Sequence, residues 1–224
     1  MNTARVWTFD HLAMPLAIVA LAMLAHTSPQ LTASWELDRT AVAAGEWTRL
    51  VTGHLTHWNG DHLFWDAATF FALGVVCLGR RPLLTLACLL LSSFAISATF
   101  LAVHPGLPTY RGLSGLDTAL FTFLAVVIYQ DARVAGDRAL GAVAKWALAG
   151  LVVKTAYEVV TGDTLFVDSA AADFVPLATV HAAGAAVGFL VALAPACIRV
   201  LNPTTSHSSL RLRASPRGNS YPAL

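Results

Sequence analysis

Charge is what this sequence has least of. Only 12% of its 224 residues are Asp, Glu, Lys or Arg, whereas 56% are hydrophobic; a soluble domain carries roughly a quarter charged residues. The mean hydropathy of +0.63 agrees, and together they point to a chain embedded in a membrane. A formal net charge of +1 excludes an electrostatic nucleic-acid binder, because no basic surface is left to neutralise many phosphates. Cysteine is also scarce. Cys77, Cys88 and Cys197 lie in apolar runs without paired spacing, so they imply neither a disulfide framework nor a zinc site and read as small hydrophobes inside helices. No internal repeat is visible.

What is there is a series of apolar stretches. A helix needs roughly 20 apolar residues to cross a bilayer, and candidate spans fall at about 11–27, 62–79, 83–103, 114–129, 140–160 and 174–198. These predict an all-α membrane protein, a six-helix bundle over 1–201, followed at 202–224 by a Pro/Ser-rich, basic tail expected to be disordered. The first stretch, "MPLAIVALAMLAHTS", has the look of a signal peptide, but the many spans after it favour a retained helix. Arg80, Arg81, Arg133, Arg138, Arg211, Arg213 and Arg217 would lie on one side of the membrane. Arg39, Arg49 and Arg111 would lie on the other, among Glu36, Asp38, Glu46, Asp163, Asp168 and Asp173. The positive-inside rule then places both termini in the cytoplasm. The segment from about 28 to 60 falls outside, and it is too long for a plain connector.

Ionisable residues within membrane spans are costly and usually functional, and three clusters stand out at one depth. The first is "GLSG", Gly112–Gly115. Glycines around a serine at a helix mouth permit close backbone approach and aim N–H groups at a bound oxygen, as a nucleophile beside an oxyanion hole requires. The same pattern also serves as a serine N-cap with glycines easing helix contact. The second is "VHAAGAAVG", in which Gly184 and Gly188 make a smooth stripe for a neighbouring helix. His181, three residues before Gly184, faces that neighbour, either as a general base or as a core histidine bonded to a carbonyl. The third is "HWNGDHLFWD", His57–Asp66. Asn59 or Asp61 would cap the helix, while His62 and Asp66 share a face one turn further in, where capping does not explain the acid. Asp117 reads as a first-turn charge favoured by the helix dipole. Lys154 and Glu158 read as a mutually neutralising pair on an inward face, with substrate contact as the other possibility.

In this order, the three clusters resemble the rhomboid family of intramembrane serine proteases. The matching residues are His57, His62 and position 66, Ser114 within "GLSG", and His181 with Gly184 and Gly188. The run "GEWTRLVTGHLTH" is similar as well. The short chain and the Lys154–Glu158 pair look most like the rhombosortase branch. The resemblance implies a Ser114–His181 dyad, with Ser114 as nucleophile and His181 as base and then acid. It implies an oxyanion hole made by the Ser114 backbone N–H and the His62 side chain within the Gly112–Leu113 turn, supported by His57, Gly184 and Gly188. It implies no cofactor. It further implies the bacterial inner membrane, an active site opening to the outer side, and membrane-anchored protein substrates with a glycine-rich C-terminal transmembrane tail. Glycine is a poor helix former, so a glycine-rich cleavage site would unwind readily.

Position 66 departs from the family, which mostly has asparagine there. An ionised Asp66 only accepts hydrogen bonds. Either burial keeps it protonated so that it donates, or it accepts from one nitrogen of His62 and orients that ring; the i, i+4 spacing favours orientation. Rival readings are a metal site using His54, His57, His62 and Asp66, which lacks the spacing of zinc proteases, and a non-catalytic rhomboid-like protein that binds transmembrane helices. A transporter would often show inverted repeats.

Overall fold

The first helix ends where the sequence forbids its continuation. Helix α1 (Asp10–Thr27) gives way at Ser28, whose φ of −125° and ψ of 105° are extended and whose hydroxyl accepts from Leu31 N–H at 3.3 Å. A residue before proline avoids the helical region, and Pro29 opens α2 (Pro29–Trp35), bent by 115° from the preceding helix. The computed structural model describes residues 10–162 and 177–201; helices dominate them.

Between α2 and the next long helix, the chain does not wander. Strand β1 (Leu37–Asp38) is followed by α3 (Arg39–Ala43), α4 (Arg49–Thr52) and a 3-10 turn, Gly53–Leu55. Three arginines hold this segment together. Arg49 is buried, with its guanidinium donating to Glu46 at 2.7 Å and to the Ala33 and Glu36 carbonyls at 2.8 and 2.9 Å. Arg39 reaches the Leu101 and His104 carbonyls at 2.7 and 2.9 Å. Arg111 pairs with Glu36 at 2.7 Å and stacks over Trp58, 4.3 Å from its ring centre. These three cations therefore serve the fold of the segment itself.

The long helices follow: α5 (Gly60–Arg80), α6 (Pro82–Val103), α7 (Ser114–Ala135), α8 (Arg138–Thr161) and α9 (Ala178–Leu201), with strand β2 (Thr109–Tyr110) before α7. Strands β1 and β2 pair antiparallel, Leu37 opposite Tyr110 and Asp38 opposite Thr109. Asn59 caps α5, accepting from His62 N–H at 2.8 Å. Pro82 starts α6 one residue after α5 stops, and Gly136, in left-handed conformation at φ 73°, closes α7. Helices α5, α6, α7 and α8 are each long and apolar enough to cross a membrane, and the bent α1–α2 pair brings the number to five; Ala178–Ala194 of α9 forms a shorter apolar helix. The expected span at 114–129 is too short. Its helix runs to Ala135 because Asp131 accepts from Arg81 at 2.6 Å and lies 3.5 Å from Arg80, so the polar last turns are tied to the α5–α6 corner. The expected residues 174–176, the tail at 202–224, Asp163, Asp168 and Asp173 and the Cys197 side chain lie outside the described residues.

Helix α7 is the centre: half of its apolar window is buried, against 11% for α8. Val152, Val153 and Val160 of α8 point outward, as lipid permits. In lipid, apolar side chains gain little by leaving their surroundings, so close contact between helix backbones matters more than hydrophobic burial. Two sites show it. A side chain at Gly74 of α5 would meet the Pro15 ring of α1 at 3.2 Å, and one at Gly115 of α7 would meet Ile96 of α6 at 2.8 Å. The residues considered below all belong to the compact unit Met1–Ala192.

Candidate active site

Ser114 owes its position to a turn only glycine can make. Tyr110, locked by its strand, donates its hydroxyl to the Gly112 carbonyl at 3.2 Å. Gly112 has φ of +124°, and a Cβ there would lie 3.0 Å from the His62 ring and 3.3 Å from Asp66 Oδ2. The turn is thus pressed against α5. Leu113, not Ser114, holds the N-cap position of α7. That departs from a capping role for the serine: its hydroxyl faces His181 Nε2 at 3.0 Å.

The glycine stripe of α9 makes that distance attainable. A Cβ at Gly184 would strike the Gly115 carbonyl, and one at Gly188 the Ala119 carbonyl. The two helices therefore touch backbone to backbone, and His181, one turn earlier on the same face, is brought onto Ser114. Gln130 adds a hydrogen bond to the Ala192 carbonyl at 3.2 Å further along.

Beyond His181 comes a residue with no role at the histidine in the sequence reasoning. Glu158 Oε2 lies 3.0 Å from His181 Nδ1, and its other oxygen, Oε1, accepts from Lys154 one turn earlier on α8. The Glu158 side chain is 1% exposed. Its buried charge is thus matched by one cation and one imidazole, as a buried carboxylate requires. Three residues now stand in line: Ser114, His181, Glu158. With Nδ1–H donated to the carboxylate, the imidazole presents its Nε2 lone pair to the serine, which is the tautomer a general base needs. The expected dyad becomes a triad in geometry. The signal in the sequence was an acid inside a membrane span, read there as the partner of Lys154.

The expected oxyanion site is built differently from the expectation. Asp66 does sit beside His62, with Oδ2 3.2 Å from Nε2. Yet the same oxygen accepts from the backbone N–H groups of Leu113 at 2.9 Å and Ser114 at 3.0 Å. The donors expected to face a substrate oxygen face Asp66 instead. A two-residue span of backbone and a ring converge on one carboxylate oxygen, and an ionised acceptor suits both the N–H pair and the positive end of α7. His57 completes the ring of groups: its Nε2 is 3.3 Å from Asp66 Oδ2. Burial holds the His57 imidazole below its ordinary pKa despite the carboxylate, so it is neutral near pH 7.

Ser114, His181, His57, His62, Asp66, Gly112, Leu113, Gly184 and Gly188 therefore share one end of the helix bundle, joined by Lys154 and Glu158. His54 packs edge-on against Tyr110, ring centres 5.5 Å apart, with its Nε2 3.1 Å from the Ser93 carbonyl and its pKa lowered by burial. Asp117 is buried one turn below Ser114, and its Oδ1 has no hydrogen-bond partner among the described residues. Among those residues, no three His, Cys, Asp or Glu side chains are grouped to hold a metal ion. No protein-family model matches the chain, and no curated protein matches it.

Proposed function

We propose that this protein is an intramembrane serine endopeptidase of the rhomboid type, with Ser114 as nucleophile and His181 as its base. The observation that carries the reading is the unbroken line from Ser114 Oγ through His181 to Glu158, with contacts of 3.0 Å at both ends of the imidazole. A serine hydroxyl is a weak nucleophile until a base takes its proton. In the first step, the Ser114 Oγ–C bond forms as the proton passes to His181 Nε2. Glu158 then faces an imidazolium and stabilises it. In the second, that proton goes to the leaving amine as the peptide bond breaks, leaving an ester on Ser114. Water hydrolyses the ester by the same route in reverse.

Helices α1 and α9 join the four long helices as a six-span bundle with both termini in the cytoplasm, in a bacterial inner membrane. The site then opens to the outer side. The substrates are membrane-anchored proteins with a glycine-rich segment at the start of a C-terminal transmembrane tail. Their helix must unwind before a carbonyl reaches Ser114, and glycine lowers that cost by about 1 kcal/mol per residue relative to alanine.

A second reading, a non-catalytic protein that binds transmembrane helices, is favoured by one observation: the Asp66 carboxylate against the Ser114 N–H. Labelling with a fluorophosphonate probe in detergent decides between the two. The expected result is labelling that is lost in both Ser114→Ala and His181→Ala. A folded chain that never labels, either as wild type or with Asp66 replaced, selects the second reading.

A further inference from the structure

The hole beside Ser114 is already filled by a side-chain oxygen. Asp66 Oδ2 takes hydrogen bonds from Leu113 N–H at 2.9 Å and Ser114 N–H at 3.0 Å, with the His62 and His57 Nε2 atoms at 3.2 and 3.3 Å. A helix N-terminus alone would say little about a ligand. Here a second feature points inward: His57, only 2% exposed, holds its Nε2 3.3 Å from the same oxygen and has no other hydrogen-bond partner among the described residues. Gly112 contributes by omission, since any Cβ there would crowd both Asp66 Oδ2 and the His62 ring. The site is a pocket for one carboxylate or carbonyl oxygen, formed by two main-chain donors and two imidazoles.

We propose that Asp66 is the removable resident of this oxyanion hole, so that a substrate carbonyl or a small free carboxylate binds there only after the Asp66 side chain swings away. The catalytic consequence rests on the serine-protease reading; the binding consequence does not. A donor stabilises an oxyanion from about 2.7–3.1 Å, and Oδ2 holds that place for both N–H groups. A second oxygen at the same distance from both would overlap the first. Two like charges would also repel at that spacing. Rotation about the side-chain bonds of Asp66 is the movement that would vacate the hole. The resting protein is thereby latent, and a transmembrane substrate must supply the interactions that displace the carboxylate.

The test uses the full chain in detergent, as wild type, Asp66→Ala and Asp66→Asn. Thermal unfolding is followed against sodium acetate at constant ionic strength, with acetamide as the neutral control. Acetate is expected to stabilise Asp66→Ala in a saturable way and to leave the wild type unchanged. In parallel, the fluorophosphonate should label Ser114 in Asp66→Asn about 10-fold faster than in wild type, because a neutral acceptor forms weaker bonds than an ionised one. Acetate should slow labelling of Asp66→Ala. A folded Asp66→Ala that ignores acetate overturns the proposal, as does labelling of Asp66→Asn at or below the wild-type rate: Asp66 would then be a fixed tie for the start of α7. Failure of both variants to fold counts the same way. If no variant labels but acetate stabilises Asp66→Ala, the resident carboxylate stands and the protease reading falls.

Discussion

Replacing Glu158 by glutamine tests the third member of the line at Ser114. The side chain keeps its size and loses its charge. With His181 Nδ1 3.0 Å from Glu158 Oε2, the centres of an imidazolium and a carboxylate lie about 4 Å apart. At an effective dielectric of about 20, their attraction is about 4 kcal/mol. Lys154 repels the imidazolium in both proteins, so its effect cancels from the difference. The expected loss in the transition state is therefore about 4 kcal/mol, or close to 10³-fold in rate. An amide that presents its NH2 to Nδ1 would also favour the wrong tautomer, which adds to the loss. The assay is the pseudo-first-order rate of fluorophosphonate labelling at Ser114, with thermal unfolding as a check on the fold. Glu158→Gln leaves the Lys154 ammonium without its carboxylate, so the double variant Lys154→Met/Glu158→Gln should unfold at a higher temperature than the single one while labelling no more than a few-fold faster. A folded Glu158→Gln within threefold of the wild-type rate would refute the assignment, leaving Glu158 as the counter-charge of Lys154 alone.

Two further predictions follow from packing and burial. Gly184→Val pushes a branched side chain at the Gly115 carbonyl, so α9 must retreat from α7. Overpacking of this kind costs about 1–3 kcal/mol of stability, and a 1 Å shift of His181 from Ser114 costs on the order of 10²-fold in labelling; an unchanged rate would show that α9 does not position the histidine. His54 and His57 are both buried with pKa values lowered from 6.5. The unfolded chain therefore binds more protons below that pH, and stability should fall with acidification by up to about 1.4 kcal/mol per pH unit for each histidine. Above pH 6.5 this contribution is flat. Unfolding midpoints from pH 7.5 down to 5 check the sign, and a midpoint that rises as pH falls would contradict neutral burial.

Local pattern was enough to place much of this protein. The apolar runs mark α5, α6 and α8 to within a few residues, because a span needs a length of apolar chain and nothing else. A cap at Asn59 or Asp61 was legible, and Asn59 is the one the fold uses; the i, i+4 spacing put His62 and Asp66 side by side. Gly184 and Gly188 announced a close neighbour, since a missing side chain at that interval has meaning on one helix alone. The length of α7 was not legible: the polar residues after Tyr129 end the apolar run, but their ion pairs with the α5–α6 corner keep them helical.

What only the tertiary structure decided are the contacts between helices. Glu158 lies 23 residues from His181 and Asp66 lies 48 from Ser114; no periodicity links such positions. Which nitrogen, N–H or carboxylate oxygen meets which depends on helix rotation and on which helix is the neighbour. Chemistry-bearing residues could be picked out from their residue types, because lipid makes each of them expensive. Their partners on other helices could not, the Ser114–His181 pairing having come from the family resemblance alone, because a pairing at 3 Å depends on the rotation of two helices, which the side-chain types do not encode.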